Sequence, residues 1–235
     1  IKLNPKNDAA HFEIARLDIF QLNKTDDALM HLKAAYKISP TNEWIAELYA
    51  HAFELKNDYK NAAKILSAYL KNNPNDIDAL YNLSFFQTKN GKYTDAISSL
   101  NKIETLEGIS ADISFSKEKL WLQQNKVDKA ALELQKLITA FPTEPKYYNA
   151  LADLYFGNKM NEKGLNTLQQ LVAISPDNPQ AQLTLSEYYK SIGNGDKSFE
   201  ALKKAFASEN LDIEDRKSTR LNSSHTDISR MPSSA

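Results

Sequence analysis

The sequence predicts an all-α chain assembled from repeated helix pairs, and three observations carry that prediction. Leucines stand thirty-four residues apart at Leu32, Leu66, Leu100, Leu134, Leu168 and Leu202, and four residues before each lies a small residue, Ala28, Ala62, Ala96, Ala130, Gly164 or Ser198. Six units in register define a repeat. Around the leucines, apolar residues recur at intervals of three and four, as in Ala28, Leu29, Leu32 and Ala35, which is the stripe of an amphipathic helix. Eight residues after each leucine comes Pro40, Pro74, Gly108, Pro142, Pro176 or Asn210, residue types that punctuate helices.

Each unit divides into two helices. The first unit places Phe12, Ala15 and Ile19 on one helix, turns at "NKTD", and continues through Ala28, Leu32 and Ala35 on a second. The next turns at "KNDY" before Ala62, Leu66 and Tyr69, and the third at "KNGKY" before Ala96, Leu100 and Ile103. The fourth turns at "QNKVD" before Ala130, Leu134 and Leu137. In the fifth, Tyr148, Leu151, Ala152 and Tyr155 precede "GNKMN", and Gly164, Leu168 and Leu171 follow. The sixth turns at "IGNGD" before Ser198, Leu202 and Ala205. Asparagine and glycine suit these turns because they tolerate the left-handed or capping geometry of a helix end. The small residue lets the second helix approach the first closely, where a bulky side chain would force the pair apart.

These columns resemble the tetratricopeptide repeat, with units at 9–42, 43–76, 77–110, 111–144, 145–178 and 179–212. "ALYNLSFFQTKNGKYTDAISSL" lies close to the family pattern. The resemblance implies an α-solenoid, a right-handed superhelix of about six antiparallel helix–turn–helix units whose first helices line a concave groove. A single unit cannot bury its stripe alone, so stacked neighbours share a core. Two departures stand out. Arg16 replaces the usual small residue of unit one, and in unit four Lys117 and Glu118 stand where an apolar and a small residue are expected, so residues 111–124 should pack more slackly than 145–158. In unit six the stripe of Phe199, Leu202, Ala205 and Phe206 should lie partly open.

Family geometry puts the second, fifth, ninth and twelfth residues of each unit on the groove. The candidate binding residues are Trp44, Glu47, His51, Tyr81, Phe85, Phe115, Lys119, Leu122, Asp153 and Phe156. Glu13, Glu54, Asp78, Asp112 and Glu187 stand at further groove positions, against Lys146 and Lys190. An acidic groove with aromatic anchors implies a protein or peptide partner with basic and apolar side chains, since aromatics give large buried area at low entropic cost. Some of these aromatics could instead simply pack between helices. Members of the family that bind chaperone tails use lysines, an arginine and asparagines. Here the fifth position reads Glu13, Glu47, Tyr81, Phe115, Asn149 and Leu183, and only Asn82 matches, which argues against a carboxylate clamp.

The last stretch breaks the period. Residues 215–225 read DRKSTRLNSSH and 229–235 read SRMPSSA. Both resemble, in order, the translation of an adapter oligonucleotide used in sequencing libraries. Residues 214–235 are therefore expected to be a disordered, non-native tail, with the natural array over 9–213 and the end of a preceding repeat at 1–8. On that reading the chain is a fragment open at both ends, and deleting 215–235 should leave stability unchanged. Without residues 215–235 the 29 basic and 30 acidic residues become 25 and 28, a net charge of −3, which argues against nucleic acid.

With 42% hydrophobic and 25% charged residues the chain falls in the globular class. No window nears the roughly eighteen apolar residues of a membrane span. Zero cysteines exclude disulfides and thiolate chemistry, yet suit a reducing cytosol and a cysteine-poor bacterial envelope alike, so the compartment stays open. His11, His31 and His51 share no close helical spacing of the kind a metal site or acid/base pair uses, and no phosphate loop, nucleophile elbow or HExxH occurs. No metal, cofactor or catalytic residue is expected. The sequence thus reads as a non-catalytic interaction scaffold. Two other readings stand beside it: a structural subunit of an envelope or secretion assembly, and the regulatory array of an enzyme whose catalytic domain lies elsewhere.

Overall fold

The computed structural model describes residues 7–208, which form twelve helices with no strand among them. The first six are α1 (Asp8–Phe20), α2 (Thr25–Ile38), α3 (Glu43–Leu55), α4 (Tyr59–Tyr69), α5 (Ile77–Lys89) and α6 (Tyr93–Glu107). Then come α7 (Ala111–Leu122), α8 (Val127–Ala140), α9 (Pro145–Gly157), α10 (Asn161–Ile174), α11 (Pro179–Ser191) and α12 (Gly195–Ala207). Each thirty-four-residue unit supplies one helix pair. The expectations for Asn210, for residues 1–6 and for the adapter-like tail lie outside the described residues.

Contacts divide the chain into two compact units, residues 1–133 and 134–235, with the division inside α8. In the first, Ala28, Ala62, Ala96 and Ala130 are fully buried, and Leu32, Leu66 and Leu100 are buried beside them. Its core runs from Ala15, Ile19, Leu48 and Tyr49 to Leu80, Leu83, Phe86, Ile103 and Ile113. In the second, Leu134, Gly164, Leu168 and Leu171 are buried, and the core adds Tyr148, Ala152, Ala181, Leu185 and Ala201. The stripe is weaker in the last helix pair. Ser198 and Leu202 are only half-buried, and the Ser198 hydroxyl donates to the Ser186 carbonyl at 2.9 Å. Ala205 is buried and Phe206 half-buried, while Phe199 is 68% exposed.

The turns repeat as strictly as the core. A residue with left-handed φ between +54° and +76° closes the first helix of every pair, at Asn23, Asn57, Gly91, Asn125, Lys159 and Gly193. In five of the six the next amide reaches back five residues, as Asp58 N–H does to the Phe53 carbonyl at 2.9 Å and Met160 N–H to Tyr155 at 2.8 Å. This is the helix-end motif that satisfies otherwise orphaned carbonyls. Lys159 alone meets that geometry without the tolerance of asparagine or glycine.

The first helices start equally regularly. Asn7, Asn42, Asp76, Ser110 and Asn178 each accept a bond from the amide three residues on. Glu144 holds the equivalent place before α9 and makes no such side-chain bond.

The two departures from the pattern resolve differently. Arg16 is exposed and bonded to Glu13 at 2.8 Å, leaving its neighbour Ala15 to be fully buried. Lys117 is 0% exposed, its ammonium bonded to Glu104 and Glu133 at 2.8 Å each and to Asn101 Oδ1 at 3.1 Å. The buried face of α7 is Ile113, Ser114, Lys117 and Leu120. A cation with three partners from α6 and α8 therefore fills the slot expected to be apolar. Glu118, in the slot expected to be small, is half-buried, and burial pushes its carboxyl upward against the pull of Lys119.

Candidate functional site

In the first compact unit, α1, α3 and α5 turn side chains toward one open cavity of about 430 Å³. α1 contributes Phe12, Arg16 and Phe20, four residues apart and so on one helix face; α3 contributes Trp44, Glu47, Leu48, His51 and Glu54; α5 contributes Asn82 and Phe86. Trp44 is 68% and Phe20 64% exposed, unusual for large aromatics, whereas Phe86 is buried and forms the floor. The Phe20 ring stacks on His51 with centroids 6.1 Å apart and planes 15° off parallel. His51 Nδ1 lies 3.1 Å from Glu54 Oε2.

The electrostatics of this wall are one-sided. Burial raises the Glu47 carboxyl above the usual carboxylate range, and Glu43, Asp76 and Asp78 push it further. Asp76 is itself held in place, accepting from the Tyr69 hydroxyl at 2.7 Å and from the Ala79 amide at 2.9 Å. Burial raises the Tyr81 phenol too, with Glu107 and Asp112 adding to it. Arg16 lines the cavity but spends its charge on Glu13.

Of the ten residues selected from sequence, this cavity gathers Trp44, Glu47 and His51. Tyr81 and Phe85 lie exposed on α5 outside it, Phe85 resting edge-on against Tyr59 and Phe86 with the Lys89 ammonium 5.5 Å from its centroid. On α7, Phe115 and Leu122 are half-buried and Lys119 is exposed. Asp153 and Phe156 belong to a separate cavity of the second compact unit, about 380 Å³, with Asn161, Thr184, Glu187, Tyr188 and Ser191. There Phe156 packs on Tyr188 at 5.6 Å, and burial raises the Asp153 carboxyl. Phe156 also fills the space beside Gly164, where an added Cβ would stand 2.8 Å from its ring.

Phe12, Phe20 and Tyr188 were not selected from sequence. Phe20 was within reach, since it is the twelfth residue of its unit, the position that yields Leu122 and Phe156. Tyr188 stands off that spacing, and only its aromatic character marks it. One further grouping had no signal. His11 and His31 are twenty residues apart, yet the pairing of α1 with α2 brings their Nδ1 atoms within 3.0 Å. Among the described residues no group of three or more His, Cys, Asp or Glu is placed to hold a metal, and no helix is long and apolar enough to cross a membrane.

Comparison with known proteins agrees with this architecture. Residues 20–84 and residues 145–178 each match a tetratricopeptide repeat family. No curated protein matches the sequence. Among solved structures, the C-terminal part of a TPR repeat-containing protein from Cytophaga hutchinsonii superposes with a TM-score of 0.57 at 12% identity, covering 90% of this chain and 87% of that one. A tetratricopeptide repeat protein from Parabacteroides merdae gives a TM-score of 0.49 at 19% identity, covering 91% and 83%. YrrB, a TPR protein with an unusual peptide-binding site, gives 0.47 at 13% identity, covering 80% and 97%. The Cytophaga structure carries the comparison of folds. Tetratricopeptide repeats are thus matched over residues 20–84 and 145–178, and the six helix pairs on a thirty-four-residue period share the all-α helical-repeat fold of the Cytophaga structure.

Proposed function

We propose that the protein is a non-catalytic scaffold that holds a peptide or partner helix bearing basic and apolar side chains against α1, α3 and α5. Tetratricopeptide repeats generally mediate protein–protein interaction, and one observation narrows that role here. Phe20 and Trp44 stand exposed around a cavity that holds Glu47, whose carboxyl is raised by burial and neighbouring acids, while Arg16 in its lining is already engaged by Glu13. Exposed aromatics beside an apolar floor supply contact area, and the carboxylates select the sign of the ligand. Phe156, Tyr188, Asp153 and Glu187 offer a second cavity of the same chemistry.

A peptide array probed with the full chain tests the reading. Peptides pairing lysine or arginine with leucine or phenylalanine should bind best, and Phe20→Ala and Trp44→Ala should each weaken them by about 1–2 kcal/mol, the scale of an interface hot spot. Preference for acidic peptides, or binding indifferent to both substitutions, would contradict it.

A further inference from the structure

Building on the function proposed above, we propose that a second copy of this chain is the partner: the exposed face of α12 docks against α1, α3 and α5 of its neighbour. α12 buries Ala201 and Ala205 on one side. On the other, Phe199 is 68% exposed, Lys203 is exposed, and Leu202 and Phe206 are half-buried. Intervals of three, four and seven from Phe199 put these four residues on one face. That is the spacing with which an amphipathic helix anchors in a groove.

Charge selects the receiving surface. From Ala201 to Ala207 the helix carries Lys203 and Lys204, both exposed, and no acidic residue. Glu47 and Glu54 line the cavity of the first compact unit, and Glu43, Asp76 and Asp78 act on Glu47. Phe20 and Trp44 stand exposed in the same lining, over the buried Phe86. The α12 face thus brings the basic and apolar side chains that such a wall attracts. Because two different patches meet, the contact is heterologous. Each docked pair keeps one unfilled groove and one unfilled α12, so copies add head to tail unless a ring closes.

Sedimentation velocity of the full chain over a concentration series tests this. The average mass should rise with concentration beyond that of one copy, and high salt should reverse part of the rise. Phe199→Glu and Trp44→Ala should each weaken association by about tenfold, the scale of an interface hot spot. Lys203→Glu, a second substitution on the exposed face, should act in the same direction. Phe199→Glu spoils the docking face and Trp44→Ala the groove, so an equimolar mixture of the two should recover association and stop at a dimer. Association that survives Trp44→Ala, or a mixture that stays monomeric, would overturn the proposal. A monomeric chain whose melting midpoint falls with Phe199→Glu would instead assign the α12 face to a segment of the same chain. Trp44-dependent binding of basic and apolar peptides by a chain that stays monomeric would sink self-docking and leave the groove standing. Loss of both peptide binding and association would sink the two together.

Discussion

At the residue scale, the departures from the repeat are as informative as its regularities. Lys159 adopts the left-handed backbone that asparagine or glycine supplies in the other five pairs, and Glu144 stands uncapped where five other residues cap. Both lie at the ends of α9. Lys159→Gly and Glu144→Asp should therefore each stabilise the protein, by about 0.5–1 kcal/mol, through relieved backbone strain and a gained N-cap. Thermal unfolding measures both, and a fall in midpoint for either would contradict the reasoning. Glu47 bears a different consequence. Burial and neighbouring acids raise its carboxyl, so the folded chain binds that proton more tightly than the unfolded chain does. Its ionisation thus costs stability as pH rises through the raised carboxylate range. A cationic ligand favours the ionised form, so affinity should fall on acidification from about pH 7 to about pH 5. Glu47→Gln should bind about 1 kcal/mol more weakly at neutral pH and with a flatter profile. Isothermal titration across that range reads both effects, and an equally steep profile in the variant would exclude Glu47 as the source.

At the element scale, α7 shows how far a periodic pattern reaches. Residues 111–124 are expected to pack slackly because Lys117 and Glu118 stand where an apolar and a small residue belong, and the structure surrounds the Lys117 ammonium with Glu104, Glu133 and Asn101. Sequence reasoning sees the charge but not its partners, which come from the preceding and following helices. Removing the cation takes a buried counter-charge away from two carboxylates, so Lys117→Ala should cost about 3–5 kcal/mol, above the usual range for a lost surface pair. Denaturant unfolding tests this. A cost below about 1 kcal/mol would mean that the three-way contact contributes little. The small-residue column shows the opposite case, in which local pattern sufficed. Alanine recurs in the stripe, full burial follows at Ala28, Ala62, Ala96 and Ala130, and where glycine replaces it at Gly164 the ring of Phe156 takes the space.

At the scale of the whole molecule, the fold was legible because a helix pair writes its stripe, its turn and its punctuation within thirty-four neighbouring residues. Leu32, Leu66 and Leu100 were chosen by interval alone and are all buried. The site was legible only in part. Interval selects Trp44, Glu47 and His51, but that Phe20 stacks on His51 depends on how α1 meets α3, and the His11–His31 approach depends on how α1 meets α2. Such meetings join residues distant in sequence, which no local period encodes. The proposal that this surface receives a basic and apolar partner rests most heavily on Trp44, one of two tryptophans in the chain. Trp121→Phe leaves it as the single reporter. In that background, titration with a peptide that pairs arginine or lysine with leucine or phenylalanine should saturate and shift the Trp44 emission to the blue as the indole leaves water. An acidic peptide of the same length should leave it unmoved. A basic–apolar peptide that binds without altering Trp44 emission, or an acidic one that shifts it more, would contradict the account.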